Sequence, residues 1–229
     1  MIKILACALM LIDHIGHAFF PNIMELRLIG RLSMPLFAYA IARGAHHTHD
    51  RKKYIIRIAI LAVVSQIPFA LFLRLPLFTD LNICFTWLFA LLIIVLQENI
   101  KISKSFKYLS ISIIVAITIF VKMDYGLYAV LIVLVFYHLD IKTKQFSKIF
   151  PLYILISMAL ILTNVLQSFS LAHIENYIYS AIFQLTSIAS LPIIRYVAPR
   201  DKKLKINKYI FYWFYPVHLA LIAIVSYLL

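Results

Sequence analysis

The chain opens Met1-Ile2-Lys3-Ile4-Leu5-Ala6-Cys7-Ala8-Leu9-Met10-Leu11-Ile12-Asp13-His14-Ile15-Gly16-His17-Ala18-Phe19-Phe20. A crossing of the ~30 Å hydrocarbon core takes ~17–25 predominantly apolar residues, and this run has that length. Only a few residues precede Cys7, too few for the apolar region of a cleaved secretory signal or a lipoprotein leader. Residues 2–20 are therefore read as a retained first span. Asp13, His14 and His17 sit at membrane depth within it. A charged group there costs ~2.5–3.5 kcal/mol on insertion scales, and nothing about folding a greasy helix requires it. These three side chains are the first candidates for chemistry.

The rest of the chain agrees with its opening. Of 229 residues, 64% are hydrophobic and 14% charged, and the mean hydropathy is +0.95. A soluble domain normally carries ~25% charged residues. The sequence thus describes an all-α, polytopic membrane bundle in a single domain, residues 1–229. Apolar runs fall at 2–20, 27–44, 54–74, 82–98, 105–121, 124–138, 149–168, 175–195 and 208–228, which gives nine expected spans. The fifth and sixth are short and closely joined by Lys122-Met123-Asp124-Tyr125-Gly126, so a re-entrant pair is the alternative there. The net charge of +13 lies in short loops, a topological pattern that does not point to nucleic acid.

Taken by alternate loops, Lys3, Arg43–Arg57, Lys101–Lys107, Lys142–Lys148 and Arg195–Lys208 fall on one side. Arg27, Arg31, Arg74 and Lys122 are left for the other. The positive-inside rule then places the N-terminus in the cytoplasm and the C-terminus outside. Cys7 and Cys84 fall toward opposite faces, which argues against a disulfide.

Several polar residues remote in sequence share mid-to-outer depth: Asp13, His14, His17, Arg27, Arg31, Asp124, Tyr125, Tyr215 and His218. Asp13 and His17, spaced i,i+4, can meet on one helix face. A carboxylate orienting one imidazole beside a second suits general-base or nucleophilic work. The bland alternative is that Asp13 pairs with Arg27 or Arg31 and ties the first two segments together. A metal site on Asp13, His14 and His17 is a third reading, and it is not expected because no further ligand joins them locally. Arg27 and Arg31 lie four apart on one face and suit a carboxylate, phosphate or oxyanion. For Arg27 interface anchoring is the more ordinary role, and Asp124 divides evenly between balancing Lys122 and function. His46-His47-Thr48-His49, with Arg43, Arg51, Lys52 and Lys53, forms a basic loop that suits an anionic ligand or anionic headgroups. No Walker loop, dinucleotide fingerprint, GxSxG or HExxH occurs.

Six short motifs in order resemble the TraX family, the F-pilin N-acetylases, over nearly the whole chain. They are Ile12-Asp13-His14-Ile15-Gly16, Ile29-Gly30-Arg31-Leu32-Ser33-Met34-Pro35-Leu36-Phe37, Ser65-Gln66-Ile67-Pro68-Phe69, Asn82-Ile83-Cys84-Phe85-Thr86, Asp124-Tyr125-Gly126 and Lys208-Tyr209-Ile210-Phe211-Tyr212-Trp213-Phe214-Tyr215-Pro216-Val217-His218. The last is also similar to the Tyr-Pro-x-His feature of membrane acyltransferases acting on sugars and surface polymers. The resemblance implies a multi-pass inner-membrane protein that acetylates a pilin N-terminal amine, or a hydroxyl on a surface glycan, from acetyl-CoA.

The expected roles are His14 as base or transient acyl carrier, Asp13 as its electrostatic partner and Arg31 as oxyanion or acceptor clamp. His218 is a second acid/base group, and Arg43, Arg51, Lys52 and Lys53 attract the phosphates of CoA. Membrane lipids are expected partners. The competing classes are a small transporter or channel using the buried charges as a proton or anion path, and a scaffold for surface assembly.

Overall fold

The computed structural model describes residues 1–141, 143, 145–168, 181–200 and 207–229. The described residues are helical apart from turns and one isolated bridge between Leu81 and Met123. In chain order the helices are α1 (Ile2–Phe19), α2 (Met24–Gly30), α3 (Ser33–His47), α4 (Arg51–Leu73) and α5 (Ile83–Glu98). They are followed by α6 (Lys104–Phe120), α7 (Gly126–His138), α8 (Phe146–Ser168), α9 (Ala181–Arg200, passing through 3₁₀ turns) and α10 (Lys208–Leu228).

Among the described residues, α1, α4, α9 and α10 are long and apolar enough to cross a membrane. Helices α5 and α7 and the Phe146–Leu162 part of α8 are apolar but shorter. The 13 residues of α7 reach only ~20 Å, which agrees with the expected shortness of the run 124–138. The first part of the expected span 175–195 lies outside the described residues, as do Lys142, Lys144, Lys202, Lys203 and Lys205.

The run 27–44 departs from its reading as one continuous helix. It is two helices, broken at Arg31-Leu32. The Arg31 amide donates to the carbonyls of Arg27 and Leu28 at 3.1 and 3.2 Å, and the Leu32 amide to Ile29 at 3.2 Å, so α2 closes in a tightened last turn. Pro35 is the third residue of α3, where its missing N–H would have had no intrahelical partner anyway. It opens a helix there and does not kink one.

The chain packs as two compact units, residues 1–40 with 138–206 and residues 41–137 with 207–229. In the first, α1 lies against α2 through glycines. A β-carbon at Gly16 would fall on the Cβ of Leu26, and one at Gly30 on the side chain of Asp13. Lipid tails are as apolar as leucine, so close backbone approach at small residues is the main source of packing gain between such helices. Elsewhere in this unit α8 and α9 share polar contacts. The Tyr153 hydroxyl donates to Ser187 Oγ at 3.0 Å, and that hydroxyl donates to the Gln184 carbonyl at 2.6 Å.

In the second unit α4 packs against both α5 and α10. Helices α4 and α10 run parallel. Arg57 and Leu61 neighbour Tyr209 and Tyr212 near one end. At the other end Arg74 Nη2 donates to the Ser226 carbonyl at 2.9 Å, and its guanidinium lies 5.0 Å over the Tyr227 ring. Arg74 itself ends α4 in the left-handed region, φ 55°.

Candidate active site

Asp13, His14, His17, Arg27 and Arg31 all belong to the first unit. The glycine at position 30 lets the Asp13 side chain lie directly on the α2 backbone. Arg27 Nη1 stands 3.1 Å from Asp13 Oδ2 and also donates to the Asp13 main-chain carbonyl at 3.3 Å. Of the open alternatives, the ion pair between α1 and α2 is the one observed, with Arg27 as the partner.

The pair is mostly withdrawn from solvent, with side-chain exposures of 14% for Asp13 and 21% for Arg27. The second oxygen, Oδ1, is buried and has no hydrogen-bond partner among the described residues. Arg31 and His17 both lie within electrostatic range of the carboxylate. Arg31 is further fixed by stacking, its Cζ lying 5.4 Å from the Phe183 ring centroid. His14 is half-buried and His17 exposed. The outcome is a carboxylate clamped on one oxygen, with a second arginine and two imidazoles on the same short stretch of chain.

His218, Tyr215, Asp124 and Tyr125 belong to the second unit. His218 is buried, its Nδ1 2.6 Å from the Phe214 carbonyl and its ring stacked on Phe214 at 4.7 Å. That bond calls for the proton on Nδ1, so a neutral His218 carries its lone pair on Nε2. The Tyr215 ring is tilted against His218 at 5.8 Å. The Tyr215 hydroxyl meets the backbone of Ile83 at the start of α5, with Cys84, Asp124 and Tyr125 within electrostatic range. Three of the expected site residues therefore gather with Cys84 around one phenol.

Most of the polar atoms near them serve structure. Gln66 Nε2 donates to the carbonyls of Leu77 and Asp80 at 2.6 and 2.7 Å, which ties down the α4–α5 loop. Gln66 Oε1 accepts from Asn82 N at 3.1 Å and Asn82 Nδ2 at 2.8 Å. Asn82 Nδ2 also donates to the Ala62 carbonyl at 2.8 Å, while its Oδ1 accepts from Cys84 N at 3.0 Å and caps α5. Thr86 Oγ1 donates to the Asp124 carbonyl at 2.9 Å. Tyr125 and Gly126 follow at φ 57° and 41°, a left-handed turn into α7. Three of the six motifs thus build one clamp. Gln66, Asn82 and Thr86 were not singled out in the sequence, since their partners are mainly backbone groups that no spacing rule reveals.

At the basic end of the same unit, Arg51 pairs with Glu98, and Glu98 also accepts from the Tyr137 hydroxyl. The His46 ring stacks on Tyr137 at 4.0 Å, with Nε2 2.7 Å from the Tyr137 carbonyl. Lys53 pairs with Asp50 at 3.2 Å. Of the four expected phosphate contacts, Arg51 and Lys53 are thus already engaged within the protein. Arg43 is half-buried and Lys52 exposed. Among the described residues no group of three His, Cys, Asp or Glu is placed to hold a metal.

A family model described as TraX protein matches residues 1–226. The chain is 26% identical over 235 residues to the probable fimbrial assembly protein FimC, serogroup H1, of Dichelobacter nodosus, covering 97% of this chain and 93% of that one. It is also 37% identical over 67 residues to the uncharacterized protein RP591 of Rickettsia prowazekii (strain Madrid E), covering 29% of this chain and 25% of that one. No solved structure matches.

Proposed function

The chain belongs to the TraX family, and from that premise we propose that it is a membrane-embedded acetyltransferase of pilus or surface assembly. It moves acetyl from acetyl-CoA to an amine, such as a pilin N-terminus, or to a hydroxyl on an envelope substrate. The fimbrial assembly name carried by the Dichelobacter nodosus relative supports the pilin-related part of this reading. The observation that carries the chemistry is the mostly buried Asp13–Arg27 pair, whose second oxygen has no hydrogen-bond partner among the described residues, with Arg31 and His17 within electrostatic range and His14 next in the chain. A lock between helices needs one ion pair, and it needs neither a second arginine nor two imidazoles within a turn of it.

In this reading His14 takes the proton from the acceptor N–H or O–H as that atom bonds to the thioester carbon. The carbonyl oxygen becomes an oxyanion held by Arg31. Collapse breaks the C–S bond, and the CoA sulfur leaves as the thiol with the proton returned from His14. The Asp13 carboxylate favours the transient imidazolium, and Arg27 holds that carboxylate in place. His218, with its Nδ1 held by a carbonyl, is the second acid/base candidate.

The protein is placed in the bacterial inner membrane as a multi-pass bundle with its N-terminus inside. The parallel run of α4 and α10 fits an even number of crossings between their starts, and the basic loops then favour the cytoplasm for that side. Arg43, Arg51, Lys52 and Lys53 are the proposed cationic contacts for CoA phosphates, joined by the basic residues around Arg195–Lys208.

The test is acetyl-CoA binding and CoA release by purified protein in detergent, with His14→Ala and Arg31→Ala beside wild type. CoA release that needs both residues, in variants of normal abundance, is the expected result. Solute flux in proteoliposomes without acetyl-CoA, with no acetyl-CoA binding, would replace this reading with a transporter.

A further inference from the structure

Helices α4 and α10 leave a groove of about 260 Å³ in the second unit. Its walls include Leu61 and Val64 from α4, and Tyr212, Trp213 and Pro216 from α10. Arg57 stands at its basic end. Arg57 lies four residues, ~6 Å, deeper in α4 than the end of the cluster Arg51-Lys52-Lys53. Its Nε is buried and has no hydrogen-bond partner among the described residues. The carboxylate within electrostatic range, Asp50, is already paired with Lys53. The Tyr54 ring, 5.7 Å from the Arg57 Cζ, supports one side of the guanidinium. An arginine at this depth, whose Nε has no partner among the described residues and whose neighbouring carboxylate is already paired, calls for one.

The far side of the groove adds an acceptor. Pro216 has no N–H, so the Tyr212 carbonyl lacks its regular donor four residues on. Beyond these polar groups the lining is hydrocarbon and aromatic. A slot of this volume does not admit the ~10–12 Å cylinder of a helix and suits a single extended chain.

We propose that this groove binds an anionic phospholipid with a hydroxylated headgroup, of the phosphatidylglycerol kind. The phosphate sits on Arg57, a headgroup hydroxyl donates to the Tyr212 carbonyl, and one acyl chain lies along Leu61, Val64, Trp213 and Pro216. Charge complementarity decides between this occupant and a zwitterionic lipid. The choline headgroup places a cation near Arg57 and brings no donor for the carbonyl.

Trp213 supplies the readout, since the one other tryptophan, Trp87, is deeply buried. Full-length Trp87→Phe protein is reconstituted in mixed bilayers containing phosphatidylglycerol or phosphatidylcholine with brominated acyl chains, and quenching of Trp213 is titrated against lipid fraction. The expected result is a preference of about fivefold for phosphatidylglycerol, the worth of one cation near a membrane surface. That preference disappears in Arg57→Gln and is kept in Arg57→Lys. Equal quenching by the two lipids overturns the site without recourse to any Arg57 variant. A preference that survives Arg57→Gln overturns it too, and displacement of the brominated lipid by an apolar peptide would give the groove to a protein partner.

Discussion

The two units handle buried polarity in opposite ways. In the second, Gln66, Asn82 and Thr86 spend their donors and acceptors on backbone carbonyls, on amides and on one another. In the first, a charged pair is pressed onto a glycine, and one carboxylate oxygen is buried with no hydrogen-bond partner among the described residues. A satisfied neutral network rigidifies what it joins, and a partly satisfied charge keeps an atom available. On the proposed function, the difference separates motif residues that hold the protein together from motif residues that carry the chemistry.

That separation breaks first at Asn82. Asn82→Ala removes a cap and leaves Gln66 with fewer partners, so about 3 kcal/mol of stability should go. Folded yield and melting temperature in detergent should fall, while acetyl-CoA turnover per folded molecule stays near wild type. An unchanged melt would show that the clamp is not structural.

Gly30→Ala sharpens the contrast. The added methyl meets the Asp13 side chain, so overpacking should cost about 2 kcal/mol and turnover should drop sharply. Gly16→Ala strains the same helix pair at Leu26, away from the carboxylate. It should cost about as much stability and leave turnover largely intact. Equal turnover in the two variants would remove the special status of Asp13.

Asp13→Asn keeps the shape and removes the charge. Both partners retain some exposure, so the stability loss should be about 1–2 kcal/mol, below that of a fully buried pair. A cycle with Arg27→Gln measures how much of it belongs to the pair. Turnover lost in Asp13→Asn and not restored in the double variant assigns the carboxylate a role beyond pairing.

The smallest effect lies at Asp50, outside both clusters. The Lys53 backbone amide, helped by the Lys53 side chain, holds the Asp50 carboxyl below the usual range. The folded pKa is depressed, so the cap contributes fully above the ordinary carboxylate range and is lost as pH falls through the lowered value. Protection of the first-turn amides of α4, measured against their intrinsic exchange at each pH, should fall below about pH 4 in wild type. In Asp50→Ala it should already be low at neutral pH.

The helical, membrane-spanning character was readable because apolar runs of bilayer length admit few other solutions. The tie between Asp13 and Arg27 was readable as one of two pairings. Gly30 was not, because a glycine inside an apolar run gives no sign of which side chain will rest on it. The break at Arg31-Leu32 was hidden for a related reason. Pro35 sits in the first turn of a new helix, a start that the unbroken apolar run 27–44 does not mark. Arg57 was counted as one more loop cation, and only the parallel approach of α10 put it at the head of a groove.

The contact between Arg74 and Ser226 joins residues 152 apart, and this carries a consequence for how the molecule is made. At ~5–20 residues per second, α4 leaves the ribosome ~8–30 s before α10 exists to cover it. For that interval Arg57 and Arg74 have no α10 beside them, and the α10-facing side of α4 must be sheltered by lipid or by the insertion machinery. A lesion in α10 therefore acts on a helix finished long before, and its first symptom should be proteolysis of α4 in nascent chains.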